Sequence, residues 1–179
     1  MNRETIAFGV IGCGLMGREF ASAAGRWCHI DVPGVKPEIV AACDVNPEAT
    51  DWFEDRVPTV EQTTDDYQEL LADPEVDAVY CALPHNLHEE VYLDILEAGK
   101  HLLGEKPFGI DRAANRTINE AIADHPELLV RSSSELPFFP GAFQIAEWVR
   151  EERFGRIFDV EAGFWHSSDL NPDKKINWK

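Results

Sequence analysis

Three glycines, Gly12, Gly14 and Gly17, follow the apolar run Ile6–Ile11 in the spacing GxGxxG and open a helical pattern from Leu15 to Ala24. Each has a physical use: the first allows a tight turn, the second lets a backbone approach a pyrophosphate, and the third lets the helix pack on the strand. The start of the helix adds unpaired amides and a partial positive charge. No carboxylate lies between Thr5 and Arg18 to oppose an anion. The same glycines would also serve as a turn without a ligand. Asp44 ends the second apolar run, Glu38–Cys43, where an acid accepts hydrogen bonds from an adenosine ribose and repels a 2′-phosphate. Its other reading is a cap for the turn before the next helix. With no Arg in Val45–Pro47, the residues favour NAD over NADP. Arg18 and Glu19 follow Gly17, so the Walker pattern of ATP-hydrolysing folds is absent. The candidate cofactor-binding residues here are Gly12, Cys13, Gly14, Leu15, Met16 and Gly17, together with Asp44.

These residues need a scaffold, and apolar runs alternate with helical patterns along the chain. Strands are predicted at Ile6–Ile11, Glu38–Cys43, Pro58–Val60, Val76–Cys81, His101–Gly104 and Leu128–Val130. Helices are predicted after Asn46-Pro47-Glu48 and over Thr64–Leu71, Asn86–Ala98 and Asp111–Ala123, with Gly99 as a C-cap. The stretch Trp27–Pro37, with two prolines, reads as an inserted loop that lengthens the interval to Asp44 beyond the usual ~20 residues. The fold class is α/β, a Rossmann-type doubly wound parallel sheet over residues 1–131. Residues 132–179 read as the truncated beginning of a second domain. They hold a helix over Gly141–Glu152 closed by Gly155, then a strand ending at His166 in which Phe158, Val160, Ala162 and Phe164 alternate with polar or small residues.

Composition narrows the partners. The chain has 179 residues, 33 acidic against 16 basic, and a net charge of −17. Residues 1–130 carry 25 acids and 9 bases, and residues 131–179 carry 8 and 7. Such acidity argues against nucleic acid and anionic membranes, which are bound through clustered Lys and Arg. Four cysteines without a CxxC pair, three of them in or beside apolar runs, point to a reduced, cytoplasmic setting. No secretory signal is read at the N-terminus. The histidines follow no zinc spacing, so no metal site is expected.

Three segments together carry a family resemblance: Gly12–Gly17, Ala82-Leu83-Pro84-His85-Asn86-Leu87-His88 after the fourth strand, and Gly104-Glu105-Lys106-Pro107 after the fifth. The chain resembles the Gfo/Idh/MocA oxidoreductases, the relatives of glucose-fructose oxidoreductase and inositol dehydrogenase. The resemblance implies a Rossmann domain followed by a sheet domain that holds the substrate and through which members pair as homo-oligomers. It implies that Lys106 is catalytic and touches the substrate hydroxyl or carbonyl. Glu105 and Pro107 become cofactor-side or positioning residues, and Leu83, Pro84, Asn86 and His88 lie along the cofactor near the nicotinamide. His88 reads equally as a helix-face residue satisfied by Glu89 or solvent. Ser133, Ser134 and Glu135 are further candidates to touch nicotinamide or substrate. The family's downstream DxxxH acid/base motif is absent, and His166 is not a substitute for it.

The resemblance therefore implies an NAD-dependent oxidoreductase passing hydride between nicotinamide and a sugar or polyol. A non-catalytic NAD-binding module or redox sensor is the alternative. An S-adenosylmethionine methyltransferase shares the glycine turn but gives no reason for Gly104–Pro107.

Overall fold

A computed structural model of the chain describes residues 4–29, 34–163, 165, 170 and 173. Six parallel strands form one sheet: β1 (Thr5–Ile11), β2 (Lys36–Cys43), β3 (Gln62–Thr64), β4 (Ala78–Cys81), β5 (His101–Gly104) and β6 (Val130–Ser132). Their order is β3-β2-β1-β4-β5-β6, so the direction of winding reverses between β1 and β4. In sheets of this kind the crevice for a ligand opens at that reversal, beyond the carboxyl ends of the strands.

The helices between them are α1 (Leu15–Gly25), α2 (Pro47–Arg56), α3 (Tyr67–Ala72), α4 (His88–Glu97) and α5 (Arg112–Asp124). Side chains cap three of their starts. Asn46 accepts from the Glu48 amide, Asp66 from Gln68, and Asp111 from both Ala113 and Ala114. Gly99 has a φ of +72° just beyond α4, as a C-terminal cap requires.

Strand alternation sends successive residues to opposite faces. Val10, Ala42 and Tyr80 join Phe53 and Ala49 of α2 and Ala24 of α1 in one buried cluster. Ile11, Cys43, Val79 and Cys81 join α3, α4 and α5 through Leu70, Tyr92, Ile95 and Ile118 in the other. Both faces are thus covered, which is why the strands read as continuous apolar runs rather than alternating ones.

The third strand is not where the sequence placed it. Pro58–Val60 forms a turn instead: the Val60 amide bonds back to the Val57 carbonyl, and the Thr59 hydroxyl donates to the Ile39 carbonyl. The pairing strand is the polar Gln62–Thr64, an edge position where only one side needs a partner. Lys36 and Pro37, assigned to an inserted loop, already belong to β2, and Ile30–Pro33 lie outside the described residues. The sixth strand is shifted two residues onward, to Val130–Ser132.

The chain divides into two units at Ser133/Ser134. The second contains α6 (Pro140–Arg150), which buries none of its residues. α6 closes at Glu152, with a φ of +53°, and the Arg153 amide reaches the Trp148 carbonyl; Gly155 lies beyond that closure. Residues 157–163 form no strand, contrary to the alternating pattern, because no described segment pairs with them. Phe164 and His166 lie outside the described residues. No described helix is long and apolar enough to cross a membrane.

Candidate functional site

The carboxyl ends of the strands are laced together one step beyond each ladder. The amides of Gly12, Ala82, Glu105 and Ser133 donate to the carbonyls of Cys43, Ile11, Cys81 and Gly104, at 2.8 to 2.9 Å. Each motif singled out in the sequence therefore starts from the same edge of the sheet, flanking the reversal.

Gly12 has a φ of +96°, and a Cβ there would lie 2.6 Å from the Ala82 carbonyl oxygen, so the turns after β1 and β4 touch through bare backbone. Gly17 lets α1 press against the Gly12 carbonyl. A Cβ on Gly14 would meet nothing within 4 Å: the space before the helix is open. The first turn of α1 contains no acid, and its leading amides have no acceptor within the helix. Open space, free donors and a positive helix end fit a pyrophosphate. Leu15 and Met16 are exposed beside it.

Cys13 plays a different part. Its side chain is fully buried, with the thiol 3.5 Å from the Cys43 carbonyl, and its amide donates to Asp44 at 2.8 Å. Asp44 also accepts from the Asn46 amide at 2.9 Å. Asp44 thus ties the glycine turn to the end of β2, while Asn46 is the cap of α2. Arg18 leans over the Trp52 ring at 5.1 Å, and its Nε is a buried donor without a partner.

Around β5 the polar groups converge. The Glu105 side chain is 6% exposed and accepts from the Tyr80 hydroxyl at 2.8 Å, from the Ser133 hydroxyl and from the Lys106 amide at 3.2 Å. Burial, then the Glu105 carboxylate, drives the Tyr80 phenol well above its ordinary range, so Tyr80 stays a donor. Lys106 and Pro107 are exposed and joined by a cis peptide bond. His88 is fully buried, with Nδ1 2.8 Å from the Pro107 carbonyl and Nε2 2.9 Å from the Leu83 carbonyl. Neither Glu89 nor solvent is its partner. Pro84 and Asn86 are exposed on the turn between, and Leu83 is half-buried against the core.

Sequence reasoning passed over three residues at this edge. Tyr80 falls in the predicted fourth strand and Tyr92 in the predicted helix Asn86–Ala98, and nothing in a sequence reveals that their hydroxyls meet Glu105. His85 lies in the segment Ala82–His88 that carries the resemblance but is given no role there. Burial, followed by His88 and Lys106, lowers its pKa, so its ring lies within electrostatic reach of Lys106. Its position in the turn after β4 was the available signal. Ser134 and Glu135 fall in the second unit. Among the described residues no three or more His, Cys, Asp or Glu group as metal ligands. A cavity of about 300 Å³ lies at the opposite edge of the sheet, between the start of β2 and the end of α1.

Residues 6–131 match the model of the GFO_IDH_MocA family, described as an oxidoreductase family with an NAD-binding Rossmann fold. The chain belongs to this family. A family relative, levoglucosan dehydrogenase of Pseudarthrobacter phenanthrenivorans, is 25% identical over 98% of this chain and 45% of its own length. D-xylose 1-dehydrogenase (NADP(+)) of Hypocrea jecorina is 31% identical over 88% of this chain and 41% of its own. Among solved structures, scyllo-inositol dehydrogenase from Lactobacillus casei with bound NAD(H) and scyllo-inositol superposes with a TM-score of 0.74. It is 26% identical, over 85% of this chain and 43% of that one. The chain spans less than half the length of these Gfo/Idh/MocA relatives.

Proposed function

We propose that this chain is the nucleotide-binding part of an NAD-dependent dehydrogenase acting on a sugar or polyol. The observation that carries the reading is the meeting of the glycine turn, the turn after β4 and Glu105–Pro107 at one sheet edge, flanking the winding reversal. Its family membership and the dehydrogenases that resemble it support the same reaction class.

Gly12, Gly14 and Gly17 with the leading amides of α1 would hold the pyrophosphate, and Asp44 the adenosine ribose. Asp44 at the end of β2 supports NAD over NADP, since its carboxylate repels a 2′-phosphate. The bound nicotinamide supplies a hydride acceptor or donor. The residues of this chain do the rest. Lys106 Nζ has no hydrogen bond or ion pair among the described residues, whereas Lys100 Nζ is held by the Asp73 and Val76 carbonyls and Lys36 by Glu38. It is left to donate to the substrate oxygen, stabilising charge that develops there as the C–H bond is made or broken. Glu105, turned inward onto Tyr80 and Ser133, keeps its carboxylate occupied beneath the lysine. The free cysteines support a reducing, cytoplasmic setting, and assembly into homo-oligomers is part of the same proposal.

Titration with NADH, read as energy transfer from the tryptophans, tests the reading. Saturable quenching with recovered NADH emission is the expected result, weaker with NADPH. A flat titration with both would overturn it.

A further inference from the structure

The carbonyls of the two residues that flank Lys106 each lie within hydrogen-bond distance of a side chain from the same face of α4. His88 and Tyr92 stand four residues apart, one helical turn, with rings stacked at 4.9 Å and 16°. The Tyr92 hydroxyl donates to the Glu105 carbonyl at 2.8 Å, and His88 Nδ1 lies 2.8 Å from the Pro107 carbonyl. The other ring nitrogen of His88 lies 2.9 Å from the Leu83 carbonyl, so the ring spans the turn after β4 and the segment after β5; a neutral ring donates to one of these carbonyls, and both are bonded only when it carries two protons. Phe108 packs its ring 5.0 Å from Tyr92, and the bare Gly104 makes room, since a Cβ there would lie 2.6 Å from the Tyr92 ring. From the opposite face of the sheet Tyr80 holds the Glu105 carboxylate. The carbonyls of Glu105 and Pro107 thus both face side chains of α4, while Lys106 between them is exposed.

The geometry points to His88 and Tyr92 as positioning residues that clasp Glu105 and Pro107 so that Lys106 is presented to the nicotinamide end of the bound dinucleotide, where it contributes to NADH affinity as well as meeting the substrate oxygen. This rests on the proposed cofactor reading. It assigns His88 a task distinct from touching the cofactor, and gives Tyr92 a task beyond filling the core. Among the described residues, the hydrogen bonds and ring contacts of His88 and Tyr92 run to Leu83, His85, Glu105, Pro107 and Phe108 and not to the glycine turn, so the clasp is aimed at one end of the ligand.

The test compares NADH with ADP-ribose, which has the adenosine and pyrophosphate but no nicotinamide, by calorimetry on the full chain. Tyr92→Phe removes one oxygen and leaves the ring stack in place. It should weaken NADH roughly threefold to tenfold, the range of one lost hydrogen bond, and leave ADP-ribose unchanged. His88→Gln, which keeps a donor for one carbonyl, should give the same asymmetry. In a Lys106→Met background, itself weaker for NADH, Tyr92→Phe should add nothing further. A merely structural role moves both ligands equally or neither, and either result overturns the clasp, as does full additivity with Lys106→Met. Wild-type chain that binds ADP-ribose but shows no gain from the nicotinamide also overturns it. Binding of neither ligand overturns the cofactor reading and this inference with it.

Discussion

Gly12 and Gly14 stand two residues apart and do unlike jobs. At Gly12 both the positive φ and the nearby Ala82 carbonyl forbid a side chain, so Gly12→Ala should cost on the order of 2 kcal/mol of stability or more, measured by urea unfolding. At Gly14 nothing stands within 4 Å, so Gly14→Ala should change the same midpoint by less than about 1 kcal/mol yet weaken NADH in the fluorescence titration. Equal effects of the two on folding would refute the distinction. GxGxxG alone cannot separate them, because it records which residue lacks a side chain and not which atom would meet one. Cys13 makes the same point: the pattern gives it to the ligand, whereas its amide and thiol are both spent on the end of β2. His88 was legible as a site-edge residue from its segment, but its two carbonyl partners come from turns 5 and 19 residues away.

At the scale of elements, the parallel sheet was legible because both of its faces are covered and its central strands read as apolar runs. The failures share a cause. Pro58–Val60 is apolar yet turns, and Gln62–Thr64 is polar yet pairs; at a sheet edge, hydrogen bonding along the ladder decides the matter and side-chain hydropathy does not. Phe158–Ala162 alternates correctly but has no neighbour to pair with among the described residues. The buried strand ends also carry a chemical signature. Burial first, reinforced by Asp44 for the first two, pushes the Cys13, Cys43 and Cys81 thiols from about 9 up to about 12. The folded chain keeps these protons while an unfolded chain releases them, so stability is full below about pH 9 and falls as pH rises toward 12. The urea midpoint should accordingly drop between pH 8 and pH 10. An aromatic disulfide reagent at pH 8 should titrate the exposed Cys28 at once and the other three only on unfolding. Rapid labelling of more than one thiol in the folded chain would contradict the burial.

For the whole molecule, 33 acids against 16 bases make self-repulsion a standing cost, and residues 1–130 carry most of the imbalance. Raising salt from about 0.01 M to about 0.5 M shortens the Debye length from ~30 Å to under ~10 Å. Thermal unfolding of the chain should move upward over that range, and NADH should associate faster. A thermal midpoint that falls with salt would mean that specific ion pairs outweigh the net charge. Only three ion pairs occur among the described residues, one involving a histidine, so the repulsive balance is expected to prevail. The outermost strands, β3 and β6, have a consequence of their own. Each is three residues long, one polar throughout and the other carrying the exposed Arg131 at its centre. An incoming strand would find few open donors and acceptors along either rim, and on one rim a charge to bury. The sheet therefore ends itself, and its edges are poor templates for the strand-by-strand growth that turns exposed sheets into fibres.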